Sequence, residues 1–218
     1  MSKIIVLMGA PGAGKGTQAR LLQERLGLPQ ISTGDMFRAL AEASTPLAEE
    51  VRAVQSTGKL ISDDLVIRVV HERTNREDCK SGYILDGFPR TTVQATMLER
   101  LAVEQGHKVS AIFVDAPFEV LEKRTTGRRI CPVCGEIYNV YFKPPKFDNA
   151  CDQHPETQLI QRTDDTAEKI KVRLETYKQQ TEPLLEYYKA SKRLFKVDGM
   201  RDPQKIYEDI EAILTGDD

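Results

Sequence analysis

Four short, mainly apolar runs punctuate the chain, at residues 4–8, 82–85, 109–114 and 194–197, broken by Ser110 in the third and Lys196 in the fourth. Because they are apolar on successive positions rather than alternating, they fit strands buried on both faces, as in a parallel sheet. Helical periodicity fills the intervals. Residues 17–26 set Ala19, Leu22 and Leu26 on one stripe before Gly27 ends it. Ser62-Asp63-Asp64 offers an N-cap ahead of Leu65, Ile67 and Val70. From Asp165, with Glu168 three residues on as a capping box, Ile170, Leu174, Tyr177, Thr181 and Leu184 recur at helical spacing. Strand alternating with helix predicts an α/β fold built on a doubly wound sheet.

Residues 127–164 break that rhythm. They carry a Cys-x2-Cys and a Cys-x2-His pair, Pro144-Pro145 and isolated aromatics, with no long helical stripe. A structureless loop of that length does not suit a compact domain, so the stretch reads as a small β-rich insertion. The rest of the composition is ordinary for a globular domain: 218 residues, 40% hydrophobic and 29% charged. With 31 basic against 33 acidic side chains the net charge is −2, which gives no global attraction to nucleic acid or an anionic membrane. The apolar run at 4–8 is too short to span a bilayer and no small-residue cleavage site follows it, so a cytoplasmic address is expected.

Chemistry enters at Gly9-Ala10-Pro11-Gly12-Ala13-Gly14-Lys15-Gly16-Thr17, between the first strand and the first helix. Glycines let backbone N–H groups curve around an anion, the helix N-terminus adds partial positive charge, and Lys15 can reach β- and γ-phosphates. The commonest phosphate-binding loop has Ser or Thr directly after the lysine. Here Gly16 stands there and Thr17 follows, which bears on how the hydroxyl meets Mg2+. A plain glycine-rich turn is the weaker reading of four glycines and a lysine in this context. A second anchor is Asp86, ending an apolar strand and leading into Gly87-Phe88-Pro89-Arg90, as a carboxylate that holds Mg2+ directly or through water does.

Taken together, GAPGAGKGT at 9–17, ISTGDMFR at 31–38, LDGFPR at 85–90, TGRR at 126–129 and the QRTDD…R run at 161–173 resemble the adenylate kinase family, over nearly the whole chain. The resemblance implies a P-loop domain with a five-stranded parallel sheet flanked by helices (core 1–31, 62–126 and 165–218). It also implies a helical AMP-binding segment at 32–61 and a lid at 127–164 of the long bacterial type. The implied reaction is reversible transfer from Mg-ATP to AMP, giving two ADP, by a monomer that binds nucleotides and neither nucleic acid nor membrane.

Site residues follow by similarity. Lys15 contacts the donor phosphates, with Gly12, Ala13, Gly14, Gly16 and Thr17 around them. Arg38 and Arg90 hold the AMP phosphate, while Arg128, Arg162 and Arg173 close on the phosphates from the lid side. Arg124 stacks on the donor adenine, and Ile137, Tyr138 and Arg201 complete the ATP site. Thr33 and Gln94 favour adenine in the acceptor site, which Lys59, Leu60, Ile61, Gly87, Phe88 and Pro89 also line. Asp86 acts with Mg2+ and Asp35 as a positioning residue; Arg129 is structural. Guanidinium suits these roles, being permanently charged and able to grip two oxygens at once.

Cys131-Pro132-Val133-Cys134 and Cys151-Asp152-Gln153-His154, two pairs sixteen residues apart, can converge on one tetrahedral metal, expected to be structural Zn2+. Four protein ligands leave no open position, so the ion would cross-link a lobe too small for a large core. Family members of this kind carry Cys-x2-Cys followed by Cys-x2-Cys or Cys-x2-Asp; here His154 stands fourth, with Asp152 as the alternative. Cys79, His71 and His107 show no ligand spacing and read as structural. Two other functions stay open at this level. One is a related GTP:AMP or UMP/CMP kinase. The other is a zinc-knuckle NTPase module binding nucleic acid through Tyr138, Tyr141, Phe142, Lys143 and Lys146.

Overall fold

A computed structural model describes residues 3–57 and 60–216. Five parallel strands form the central sheet: β1 (Lys3–Met8), β2 (Gln30–Ser32), β3 (Gly82–Asp86), β4 (Lys108–Asp115) and β7 (Leu194–Asp198), in the order β2-β3-β1-β4-β7. A separate antiparallel pair, β5 (Arg128–Ile130) with β6 (Ile137–Asn139), lies in the inserted stretch. The remaining β character there is limited to isolated bridges such as Ile130 with Ile160 and Ala150 with Gln158.

Consecutive apolar residues on β1 serve two cores. Ile4, Val6 and Met8 pack on one face of the sheet with Ile31, Tyr83, Leu85 and Leu98. Ile5 and Leu7 pack on the other with Ala19, Leu22, Ile84 and Ile112. This is why the run does not alternate with polar residues. Strand β2 is three residues long and bounded by Pro29 and Thr33, too short to produce an apolar run of its own.

The helices are α1 (Lys15–Leu26), α2 (Thr33–Ala41), α3 (Pro46–Thr57), α4 (Asp63–Thr74), α5 (Thr92–Gln105), α6 (Phe118–Thr126), α7 (Ala167–Thr176), α8 (Leu184–Ala190) and α9 (Pro203–Gly216). Four details differ from the sequence reading. The stripe on α1 stops at Leu22, since Leu26 is exposed at the helix end. Ser62 precedes α4 but its side chain makes no capping bond; the neighbouring Asp63 instead accepts hydrogen bonds from Thr91 and Gln94. Helix α7 is capped by Thr166, whose hydroxyl accepts from Lys169 N, and not by Asp165. Asp165 is fully buried beside two arginines, an environment that claims a carboxylate more strongly than a helix end does. The long helix expected from 165 to 184 is also interrupted, by a π-turn at Tyr177–Thr181.

Candidate active site

The connection order reverses at β1, and in such sheets the crevice opens beyond the carboxyl ends of the strands. The loop at 9–14 lies there. Gly12 needs its glycine twice over: φ is +87°, and a Cβ would stand 2.7 Å from Thr125 Oγ1 and 2.8 Å from Leu121 O. Gly14 caps α1, and Lys15 begins the helix, so its ammonium returns over the loop to donate to Gly9 O at 2.8 Å and Ala10 O at 3.1 Å. Burial lowers the Lys15 pKa to about 8; Asp86 opposes that shift, and Arg90, Arg173 and Arg128 add to it. Asp86 closes β3, level with Leu7 on β1, and a Cβ on Gly16 would lie 3.5 Å from its Oδ2. The strand-end carboxylate therefore faces the loop. Thr17 follows on the first turn of α1.

Opposite the loop the structure gathers the predicted arginines among carboxylates. Arg128 grips the buried Asp165 with two bonds, Nε to Oδ2 at 2.8 Å and a terminal nitrogen to Oδ1 at 2.5 Å. Arg173 lies 3.1 Å from Asp164 and 3.4 Å from Asp165. Arg38 pairs with Asp35 and lies 3.8 Å from Asp164. Arg162, at the end of the inserted stretch, reaches Asp35 of α2 at 3.1 Å. Burial and crowding of like charge both act on this group. Burial, then Arg173, lowers Arg90 to about 10, and burial, then Arg128 and Arg38, lowers Arg162 to about 10. Burial works against the Asp35 carboxylate, but Arg38 and Arg162 outweigh it and hold its pKa below the ordinary range.

Sequence reading gives Asp164 no role and makes Asp165 the start of a helix, and neither is read as a partner of these arginines. Two adjacent acids between arginines were the signal that could have found them.

On the acceptor side, Thr33 is buried and donates to Gly87 O at 2.9 Å. Gly87 has φ +82°, and a Cβ there would meet an Arg90 terminal nitrogen at 2.9 Å and Thr33 Oγ1 at 3.1 Å. Gln94 is 1% exposed, with Oε1 accepting from Arg90 N at 2.8 Å and Nε2 donating to Asp63 at 2.7 Å. Phe88 is buried, the Phe88–Pro89 peptide is cis, and Ile61 packs on the core beside them. Leu60 lines a groove with Val172, Glu175 and Thr176; Lys59 lies outside the described residues.

The residues assigned to the donor base are less uniform. Arg124 donates to Gly199 O at 2.8 Å and Ala13 O at 3.4 Å, which locks it between the loop and the turn after β7. Arg201 is exposed and paired with Asp209 of α9. Ile137 is half-buried on β6. Tyr138 is buried inside the inserted lobe, where its hydroxyl lies 3.5 Å from Cys151 Sγ and accepts from Asp152 N at 2.9 Å. The ring thus supports the cysteine cluster instead of opening toward the loop.

That cluster brings Cys131, Cys134, Cys151 and His154 together, with their ligand atoms all within 4.8 Å of one another. Cys134 and Cys151 sulfurs are 3.7 Å apart, and His154 Nδ1 is 3.9 Å from Cys131 and 3.6 Å from Cys151. Asp152 is used elsewhere, accepting from Lys146 N at 2.7 Å. His71 lies against Asn75, His107 stacks edge-on to Tyr83, and Cys79 is buried beside Arg73.

A phosphate cradle that faces a bank of arginines across a crevice sets the class: this is a P-loop NTPase fold arranged to hold phosphates from two sides. Residues 7–193 match the family model described as adenylate kinase. A relative named adenylate kinase from Nitrosococcus oceani is 48% identical, covering 96% of this chain and 97% of its own length. Others of that name, from Clostridium novyi and Thermodesulfovibrio yellowstonii, are 43% and 47% identical over 98% and 96% of this chain and 99% and 98% of their own lengths. The chain belongs to the adenylate kinase family.

Proposed function

We infer that the protein catalyses reversible phosphoryl transfer from Mg-ATP to AMP, giving two ADP. The observation that carries this reading is the convergence of two cation groups, the loop with Lys15 and the bank of Arg38, Arg90, Arg128, Arg162 and Arg173. An NTPase switch needs only the first. In the forward direction a phosphate oxygen of AMP attacks the γ-phosphorus, and the bond from that phosphorus to the β–γ bridging oxygen breaks. The attacking oxygen is already ionised, so no general base is required, and catalysis is alignment, charge neutralisation and exclusion of water. Lys15 neutralises the donor β- and γ-oxygens, while Arg38 and Arg90 hold the acceptor. Arg128, Arg162 and Arg173 cover the group in transit, and the aspartates that now pair with them give way to phosphate oxygens. Asp86, which faces the loop, and Thr17, on the first turn of α1, would hold Mg2+ through its water shell, and the ion would supply further neutralisation of phosphate charge.

Residues 32–61 act as the AMP-binding segment and 127–164 as the lid. Thr33 and Gln94 select adenine in the acceptor site, and Arg124 flanks the donor base. The Cys131, Cys134, Cys151 and His154 cluster holds structural zinc: ligands about 2.3 Å from a tetrahedral zinc lie about 3.8 Å apart, close to the 3.7 Å between Cys134 and Cys151 and the 3.9 and 3.6 Å from His154 to Cys131 and Cys151. Free thiols gathered as ligands suit a reducing, cytoplasmic setting, and among the described residues no helix is long and apolar enough to cross a membrane. The protein acts as a monomer on small nucleotides. A coupled assay crossing ATP, GTP and CTP with AMP, UMP, CMP and GMP tests the reading. ATP with AMP should be strongly preferred, with negligible phosphate release when AMP is omitted; ATPase activity indifferent to AMP would refute it.

A further inference from the structure

Arg38, Arg128, Arg162 and Arg173 each lean on an aspartate, whereas the guanidinium of Arg90 has no carboxylate partner among the described residues. Its single protein anchor is the Nε bond to Gly87 O at 2.7 Å. The direction in which Arg90 presents its terminal nitrogens therefore depends on how its backbone is held. Two polar contacts hold it from opposite sides. The Arg90 N–H donates to Gln94 Oε1 at 2.8 Å, and Gln94 is fixed in turn by Asp63. The Arg90 carbonyl accepts from Thr181 Oγ1 at 3.1 Å, across 91 residues of sequence.

Thr181 ends the π-turn Tyr177–Thr181, closed by Glu182 N on Tyr177 O at 2.8 Å. Such single widened turns are frequent at functional sites. This one follows α7, which carries Arg173. One hydroxyl thus links the backbone of Arg90 to the helix that supplies the guanidinium facing it.

We propose that Thr181 is a positioning residue for the acceptor phosphate, fixing the Arg90 carbonyl and with it the aim of the guanidinium, and registering Arg90 against Arg173. The proposal rests on the reading of Arg90 as a ligand of the AMP phosphate. Valine matches threonine in shape but cannot donate, and serine keeps the donor, so the two substitutions separate the hydrogen bond from packing.

Steady-state kinetics of Thr181→Val, Thr181→Ser and Arg90→Ala, and of Thr181→Val combined with Arg90→Ala, test the idea. Thr181→Val should raise the KM for AMP by about five- to tenfold, the scale of one hydrogen bond, while the KM for ATP stays within about twofold. Thr181→Ser should restore the AMP value. With Arg90→Ala in place, Thr181→Val should cost nothing further, because coupled residues lose their effect when the partner is gone. An unchanged AMP KM in Thr181→Val, an equal loss for both nucleotides, or a full additional loss on top of Arg90→Ala would overturn it. Should Arg90→Ala alone leave AMP kinetics normal, the reading of Arg90 itself falls and takes this inference with it. A damaging Arg90→Ala beside a neutral Thr181→Val sinks the positioning role alone.

Discussion

Lys15 shows how one side chain can be set for its ligand before the ligand arrives. Its ammonium sits buried over the loop carbonyls, and burial together with three arginines lowers its pKa to about 8. The sign of the consequence is fixed: in the free protein the positive charge is present below pH 8 and is lost as pH rises through it. A triphosphate favours the charged form, so binding at pH 8 must draw a proton onto Lys15. Titration of ATP at pH 8 in two buffers of different ionisation enthalpy should report uptake of about half a proton. Lys15→Met should abolish that uptake. It should also lower turnover by about 10²–10³, the scale for loss of one transition-state donor. Near-normal kinetics, or uptake that persists in Lys15→Met, would contradict the role. At this scale the sequence was most legible for cations, because Arg and Lys in ordered motifs announce phosphate chemistry. It was least legible for their partners. Asp165 looked like a helix cap, and only the fold reveals that it is fully buried with Arg128 and Arg173.

Elements were readable wherever a local pattern had to satisfy a core. The runs of β1, β3 and β4 became strands because both faces of the sheet bury them, while β7 at the edge is mostly half-buried with Lys196 exposed. Strand β2 escaped, since three residues cannot show a period, and the π-turn in the middle of the α7–α8 stripe escaped because helical spacing continues through it. The inserted lobe is the case where chemistry was clearer than structure. Its buried cluster is only Cys131, Tyr138, Cys151 and Leu159. A core of that size is small for some forty residues, and cross-linking by the proposed zinc would make up the difference. Elemental analysis of untagged protein should find about one zinc per chain, the capacity of a single four-ligand site. Chelation or Cys134→Ser should lower the thermal midpoint and make residues 127–164 the first site of proteolysis. Metal-free protein with an equally resistant lobe would rule the site out. Asp152→Ala should leave zinc content unchanged, because that carboxylate is occupied by Lys146 N.

For the molecule as a whole, the proposed lid role of residues 127–164 turns on how that lobe is held over the crevice. Besides the pairs that Asp164 and Arg128 make with the arginines and Asp165 of the site, two ionic ties join it to the rest. Arg162 reaches Asp35 on the acceptor side, and on the donor side Glu136 reaches Arg20 of α1 at 2.8 Å while also holding Lys143 at 2.5 Å. The first tie uses an arginine that the proposed chemistry requires. The second lies away from the reacting phosphates, so it can be weakened without touching them. Glu136 is held charged against its burial by Lys143 and Arg20, so the tie persists throughout the neutral range. A half-buried pair of this kind contributes up to about 1 kcal/mol, or about fivefold in a closing equilibrium. If closure is what shields the γ-phosphoryl group from water, Glu136→Gln should raise the KM for ATP about two- to fivefold and leave that for AMP nearly unchanged. It should also increase phosphate release per ADP formed, because a lobe that closes less completely admits water as a rival acceptor. Arg20→Gln should reproduce both effects, and the double variant should be no worse than either single one. A higher KM for ATP without any rise in hydrolysis would show that the tie aids binding alone. Water exclusion would then have to be assigned to the Arg128, Arg162 and Arg173 side of the crevice.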